Sequence, residues 1–241
     1  MKHLLLIALL ALMAVPSGAK DRRFRVLVFS KTTGFRHDSI PAGIAAIQKL
    51  GQDNGFDVDA SEDASLFTPA GLAQYKALIF LNTTGDLFDD AQKAALKDYI
   101  ARGGGFVGIH AATDTEHNWP WYKEMLGAEF KRHPAFQKAT IRIEDRKDVS
   151  TRMLPAAWER SDEWYEFTAS PRPKVHVLFS VDESTYKGGE MGKDHPFAWR
   201  RNIGKARIWY TGCGHPKEAY SEPLLLAHLL GGIRWAAGAS K

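Results

Sequence analysis

Gly103-Gly-Gly-Phe-Val-Gly-Ile-His110-Ala-Ala-Thr-Asp114 is a run of small and apolar residues that ends abruptly in polar ones. Consecutive glycines do not extend a helix, so they stop whatever precedes them. Phe106-Val-Gly-Ile109 is a short unbroken apolar run, the pattern of a strand buried on both faces of a parallel sheet. His110 follows at once, in a Gly-x-His-x-Ala turn. A sharp strand-to-helix elbow of this kind projects its central side chain outward, as nucleophile elbows do. Upstream, Phe88, Ala91, Ala95, Leu96, Tyr99 and Ile100 recur at helix spacing, with Asp89 or Asp90 as the cap and the glycines as the stop.

The same grammar repeats toward the amino terminus. Arg25-Val-Leu-Val-Phe29 and Ala77-Leu-Ile-Phe-Leu81 are continuous apolar runs. Between them Ile40, Ile44, Ile47 and Leu50 mark a helix, with Asp38 or Ser39 as cap and Pro41 in the first turn; Gly51 and Gly55 are read as its end. Strands alternating with helices imply right-handed βαβ units and a doubly wound α/β sheet. The second half is less regular. Residues 140–144 and 175–181 read as strands, and residues 197–201 and 206–210 as a hairpin joined through Asn202-Ile-Gly-Lys205. Residues 222–237 read as a helix with Pro223 at its start. Repeats, low-complexity stretches and linkers are absent, so residues 20–241 are expected to form one domain, with an irregular insertion around 112–170.

The chain has 241 residues, 44% hydrophobic and 25% charged, a globular composition long enough to bury a sizeable core. Met1-Lys2-His3, the apolar run from Leu4 to Val15 and the small residues up to Ala19 read as a secretory signal peptide over residues 1–19. Its apolar run falls short of the roughly 20 residues that span a bilayer. An exported protein, periplasmic or secreted, is expected, with no membrane attachment after cleavage. Loss of Lys2 takes the formal charge from +4 to about +3. The basic residues are scattered, which excludes a nucleic-acid footprint. Cys213 is the one cysteine, so no internal disulfide forms and a buried, unreactive thiol is expected.

In an open α/β sheet ligands bind beyond the carboxyl ends of the strands. Four strand ends deliver His37, Asp86, His110, Asp114, His215 and Glu218 toward one rim. Trp119-Pro-Trp-Tyr122, His133-Pro134, Asp162-Glu-Trp-Tyr165 and His195-Pro-Phe-Ala-Trp199 add aromatics beside acids and imidazoles. Flat rings cover the apolar faces of a pyranose while polar groups bond its hydroxyls, so Trp119, Trp121, Tyr122, Tyr165, His195 and Trp199 are the candidate sugar contacts. His37, His110, His133 and Glu163 form a candidate ligand set for a divalent metal such as zinc, assembled from distant segments without a compact motif. The competing reading is acid–base chemistry by unligated His110, Asp114, His37, Glu163 and His215.

These segments, together with Gly34-Phe-Arg-His-Asp-Ser-Ile40, Leu126-Gly-Ala-Glu-Phe130 and Gly212-Cys-Gly-His215, resemble the ThuA-like (trehalose utilisation) family in order and spacing, over nearly all of 24–237. The resemblance implies a flavodoxin-like, class I glutamine amidotransferase-like three-layer sandwich with a mainly parallel central sheet. Those amidotransferases carry a cysteine in the elbow, paired with a late histidine and glutamate. Here the elbow holds His110, while His215 and Glu218 resemble the late pair. Imidazole does not replace the thiolate, so glutaminase activity is excluded. The family's association with disaccharide catabolism, often beside sugar dehydrogenases, points to keto-sugars. The expected function is thus an exported enzyme acting on a disaccharide, keto-sugar or glycoside, by hydrolysis, elimination or isomerisation, with a small-molecule carbohydrate as its partner. The alternatives are a non-catalytic carbohydrate-binding or structural module, and a cysteine hydrolase using Cys213.

Overall fold

The computed structural model describes residues 23–240; the signal-peptide reading falls on residues 1–19 and lies outside the described residues. The chain runs through β1 (Arg25–Phe29), helix α1 (Ile40–Asn54), β2 (Asp57–Ser61), the short helix α2 (Pro69–Leu72) and β3 (Ala77–Leu81). Helix α3 (Asp90–Ala101), β4 (Gly105–Ile109) and helix α4 (Pro120–Leu126) follow. Next come β5 (Phe130–Arg132), β6 (Gln137–Ile143), β7 (Ala157–Asp162), β8 (Glu166–Phe167) and β9 (His176–Asp182). The hairpin β10 (Pro196–Ile203) and β11 (Ala206–Thr211) leads to helix α5 (Pro223–Ala236). No helix among the described residues is long and apolar enough to cross a membrane.

Nine strands form one sheet in the order β2-β1-β3-β4-β11-β10-β9-β6-β7. The first five pair in parallel, the flavodoxin-like arrangement. The remaining pairings are antiparallel. β3 and β4 are buried at every position, as their unbroken apolar runs require. Phe80 and Phe106 pack against Tyr122 of α4 on one face. Leu81 lies under α1 on the other, where α5 also packs on β11 and β4.

The capping signals act as their chemistry dictates at α3, where Asp89 and Gln92 form a reciprocal capping box. At α1 the cap is Ser39, but its side chain makes no capping bond. Gly51 does not end α1 either. The helix continues to Asn54 and stops at Gly55, at φ 77°. A Cβ at Gly51 would meet Val58 Cγ2 at 2.6 Å and the Phe56 carbonyl at 2.7 Å, so this glycine permits close approach of helix to strand.

The segment around 112–170 is not an irregular insertion. It contains α4 and strands β5 to β8, and β6 and β7 extend the main sheet. β2 and β7 escape the sequence pattern because they are its two edge strands and carry polar residues: Asp-Val-Asp-Ala-Ser and Ala-Trp-Glu-Arg-Ser-Asp.

Candidate functional site

Strand direction decides which loops meet. β1, β3, β4 and β11 all point the same way, so their carboxyl ends share one edge. Two successive antiparallel steps restore that direction in β9, and two more in β7. The end of β7, with Asp162 and Glu163, therefore emerges on the same edge. So do the turn ahead of β6, with His133 and Phe136, and the start of β10, with His195.

His110 occupies the elbow after β4 with φ 49°, a left-handed conformation that a non-glycine residue adopts only under constraint. Close packing beneath it is part of that constraint: a Cβ at Gly108 would sit 3.0 Å from Tyr210 and 3.2 Å from Ala112. The ring Nδ1 lies 2.9 Å from the Gly212 carbonyl. A carbonyl only accepts, so Nδ1 carries the proton and Nε2 presents its lone pair. That Nε2 is buried without a hydrogen-bond partner, 3.6 Å from Glu163 Oε2.

His37, brought in from the loop after β1, is 3% exposed and its Nδ1 also lacks a partner. Its ring stands edge-on to His110 at 4.9 Å and to His215 at 5.3 Å. Burial, followed by the neighbouring His110 and His215, pushes its pKa down to about 3, so the ring is neutral. His215 Nδ1 lies 2.9 Å from Glu163 Oε2, but the ring is not aimed for a hydrogen bond. Burial opposes protonation of His215, and the Glu163 carboxylate overcomes it and raises its pKa. Burial likewise opposes ionisation of Glu163, and His110 and His215 outweigh it, holding the carboxyl well below the usual range.

His37, His110, Glu163 and His215 each offer one ligand atom, and these atoms lie within 4.8 Å of one another. Three imidazoles and a carboxylate are a zinc-type donor set. Buried lone pairs with nothing to accept from are costly unless a cation completes them.

A second layer of contacts fixes this cluster. The buried Asp162 carboxylate accepts the backbone N–H groups of Glu163, Gly214 and His215 at 3.0, 3.0 and 3.1 Å. One side chain thereby holds two ligand-bearing segments in register. Arg160, also buried, neutralises it at 2.9 Å and reaches Glu222 at 3.1 Å. Ser39, freed from capping, accepts from Asn82 Nδ2 at 3.0 Å, and Asn82 and Tyr220 hold the Gly214 carbonyl. Asp162 stands in a motif the sequence singles out, but nothing in the sequence distinguishes a ligand from the residue that seats it.

The remaining candidates fall elsewhere. His133 stands beside the cluster of four: its Nδ1 is 3.7 Å from Glu163 Oε1 and 2.8 Å from the Pro134 carbonyl. His215 takes the place in the cluster that the sequence suggests for His133. Asp114 is half-buried and receives a hydrogen bond from His117 at 2.7 Å. Burial raises its pKa, with His117 opposing. Asp86 and Glu218 are exposed; the carboxylate partner of His215 is Glu163, not Glu218.

Of the proposed sugar-binding aromatics, Tyr165 alone packs on the cluster, its ring 4.2 Å from His110, although it is only 3% exposed. Trp199 is fully buried and donates to the Leu126 carbonyl at 2.8 Å, so no face of it is free. Tyr122 is core, its hydroxyl bonded to Ala112. Trp119 and Trp121 stack on each other under Lys93 and Lys97 of α3. His195 is buried and spans Tyr165 and Glu183, supporting Tyr165 from behind. Cys213 is buried, which pushes its thiol up to about 12 and leaves no thiolate for a cysteine hydrolase.

Fold and site together define an open α/β protein with a histidine–carboxylate cluster at the carboxyl edge of its parallel strands. The chain belongs to the ThuA family, described as trehalose utilisation, whose sequence profile matches residues 25–236. It is similar to a ThuA-like protein from Bacteroides uniformis, with 27% identity, a TM-score of 0.78, and 92% of this chain and 95% of that one covered. A ThuA-like protein from Parabacteroides merdae has 20% identity and a TM-score of 0.75, with 90% of each chain covered. A β-galactosidase from Bacillus circulans sp. alkalophilus shares the fold alone, at 13% identity and a TM-score of 0.59, covering 90% of this chain and 31% of that enzyme. The comparison with curated proteins returned no match.

Proposed function

We propose that this protein is an exported, metal-dependent enzyme of carbohydrate catabolism that acts on a disaccharide or on a glycoside bearing a keto group. One observation carries the reading: three imidazoles and a carboxylate at the strand ends, each offering one ligand atom within 4.8 Å of the others, with His37 Nδ1 and His110 Nε2 buried without a hydrogen-bond partner. Membership of a trehalose-utilisation family supports a sugar, and the signal-like start of the sequence supports export. His37, His110, Glu163 and His215 would hold the ion, which supplies Lewis acidity toward a carbonyl or hydroxyl oxygen.

The rest of the chemistry falls to this chain's own residues outside the ligand set. A C–H beside a keto group is acidic enough for a positioned base. The base takes that proton, the C–H electron pair becomes a C=C bond, and the glycosidic oxygen leaves with a proton from an acid. We assign these transfers to Asp114 and His133, which stand outside the ligand set. Burial raises the Asp114 pKa, with His117 opposing, a direction that favours proton transfer. His117 links Asp114 to Glu129 and the surface, at 2.7 and 3.2 Å.

The test is elemental analysis of protein purified without chelator, followed by assays of trehalose and its 3-keto derivative. We expect about one divalent ion per chain. Turnover of at least one sugar should cease on chelation and in His110→Ala. A metal-free protein with turnover indifferent to chelator sinks the reading. Sugar affinity without turnover makes the protein a binding module.

A further inference from the structure

Among the described residues three large apolar side chains stand exposed: Phe35, Phe136 and Met153. Two of them border the histidine cluster. Phe35 is 66% exposed, and its ring meets His37 edge-on at 4.9 Å. Phe136 is 49% exposed, with its ring 5.8 Å from that of His215. They arrive from unrelated segments, the loop after β1 and the turn before β6.

Neither ring is displayed by a loose loop. Thr84 Oγ1 donates to the Phe35 carbonyl at 2.8 Å, and the neighbouring Arg36 forms a two-point ion pair with Glu62 at 2.7 and 3.1 Å. Beside Phe136, Gln137 donates to the Ala135 and Lys187 carbonyls at 3.0 and 2.8 Å and accepts from Lys187 N at 3.0 Å. Folding thus holds two aromatic faces in water beside a polar cluster, where neither gains from burial. A ligand apolar on its flat faces and hydroxylated at its edge accounts for both features, and a pyranose ring is such a ligand.

We propose that Phe35 and Phe136 are the walls that receive the sugar ring at the mouth of the cluster. The proposal rests on reading the cluster as the sugar-processing site. Phe35 and Phe136 take the part that the sequence suggested for tryptophans now found packed in the fold. Their exposure means that either ring can be removed without opening a cavity, so binding and folding separate cleanly.

Calorimetric titration of the zinc-loaded protein tests this, with trehalose, 3-keto-trehalose and sorbitol as probes; sorbitol offers hydroxyls without a ring. We expect wild type to bind at least one disaccharide more tightly than sorbitol. Phe35→Ala and Phe136→Ala should each weaken that affinity about tenfold, while zinc content and Tm stay at wild-type values. Phe35→Trp, which keeps an aromatic face, should retain binding. Unchanged affinity in both alanine variants overturns the proposal. So does equal binding of sorbitol, or the absence of any sugar binding by wild type. Loss of zinc from the alanine variants also overturns it, by making the rings supports for the ligands. Failure of the metal reading looks different: wild type holds no zinc, yet sugar binding still falls in the two variants.

Discussion

The parallel half of the sheet and its antiparallel half contribute to one site in different ways. The parallel half supplies His37, His110 and His215 directly from the ends of β1, β4 and β11, where an α/β sheet is expected to present ligands. The antiparallel half supplies the carboxylate, Glu163, together with Tyr165 and Phe136. Three histidines supply no negative charge that would balance a divalent cation. The antiparallel extension adds that charge, along with the exposed Phe136 wall. The carboxylate of the cluster thus comes from the strands appended to the parallel half.

The sharpest way to break this partnership is at Asp162, whose carboxylate ties the two halves through Glu163 N, Gly214 N and His215 N. Asp162→Ala leaves Arg160 buried with only Glu222, itself 38% exposed, as counter-charge. The expected loss is about 3–5 kcal/mol of unfolding free energy, measured by denaturant titration. Asp162→Asn keeps the shape but turns an acceptor edge into a donor, and should weaken zinc binding roughly 10–100-fold. Wild-type zinc affinity in Asp162→Asn would show that the halves meet without this tie.

Acid should loosen the same seam. His228 of α5 packs between Trp209 of β11 and Phe179 of β9, with ring centroids 4.7 and 5.0 Å away. Burial lowers its pKa from 6.5 to about 4. The unfolded chain therefore binds a proton that the folded chain refuses between those values. The stability associated with neutral His228 is fully present above pH 6.5 and is lost as pH falls toward 4, up to about 3 kcal/mol. His228→Gln should flatten the slope of unfolding free energy against pH in that window, and an unchanged slope would place the acid sensitivity elsewhere.

The smallest effect sharpens the contrast between halves. Glu218, the late glutamate that follows β11, is exposed, and His215 forms its ion pair with Glu163 instead. Glu218→Gln should leave zinc affinity unaltered and stability within about 0.5 kcal/mol of wild type. A large loss of zinc affinity would return the carboxylate role to the parallel half.

The parallel half was legible because its signals are local. Unbroken apolar runs marked β1, β3 and β4, and the polar residues just beyond them marked the rim. The antiparallel half was less so. β7 alternates weakly and lies at an edge, so neither its existence nor its direction could be read from Ala157–Asp162. His133 and His215 are equivalent as symbols in a motif. They differ in what surrounds the ring: His133 Nδ1 is bonded to the Pro134 carbonyl at 2.8 Å, while His215 offers a ring nitrogen within 4.8 Å of the ligand atoms of His37, His110 and Glu163. The aromatics were hard to place for a similar reason: tryptophan marks a large apolar face, and whether that face meets core or solvent depends on the layer above it.

The amino-acid sequence by itself determined the doubly wound core, the elbow at His110 and the family, because periodicity, glycine stops and motif order are properties of neighbouring residues. Only the tertiary structure decided that Glu163 joins His37, His110 and His215, that Asp162 seats two of them, and that phenylalanines rather than tryptophans face solvent there. Those facts depend on strand direction and on contacts between residues more than a hundred positions apart, as with His110 and Gly212, which no local pattern encodes.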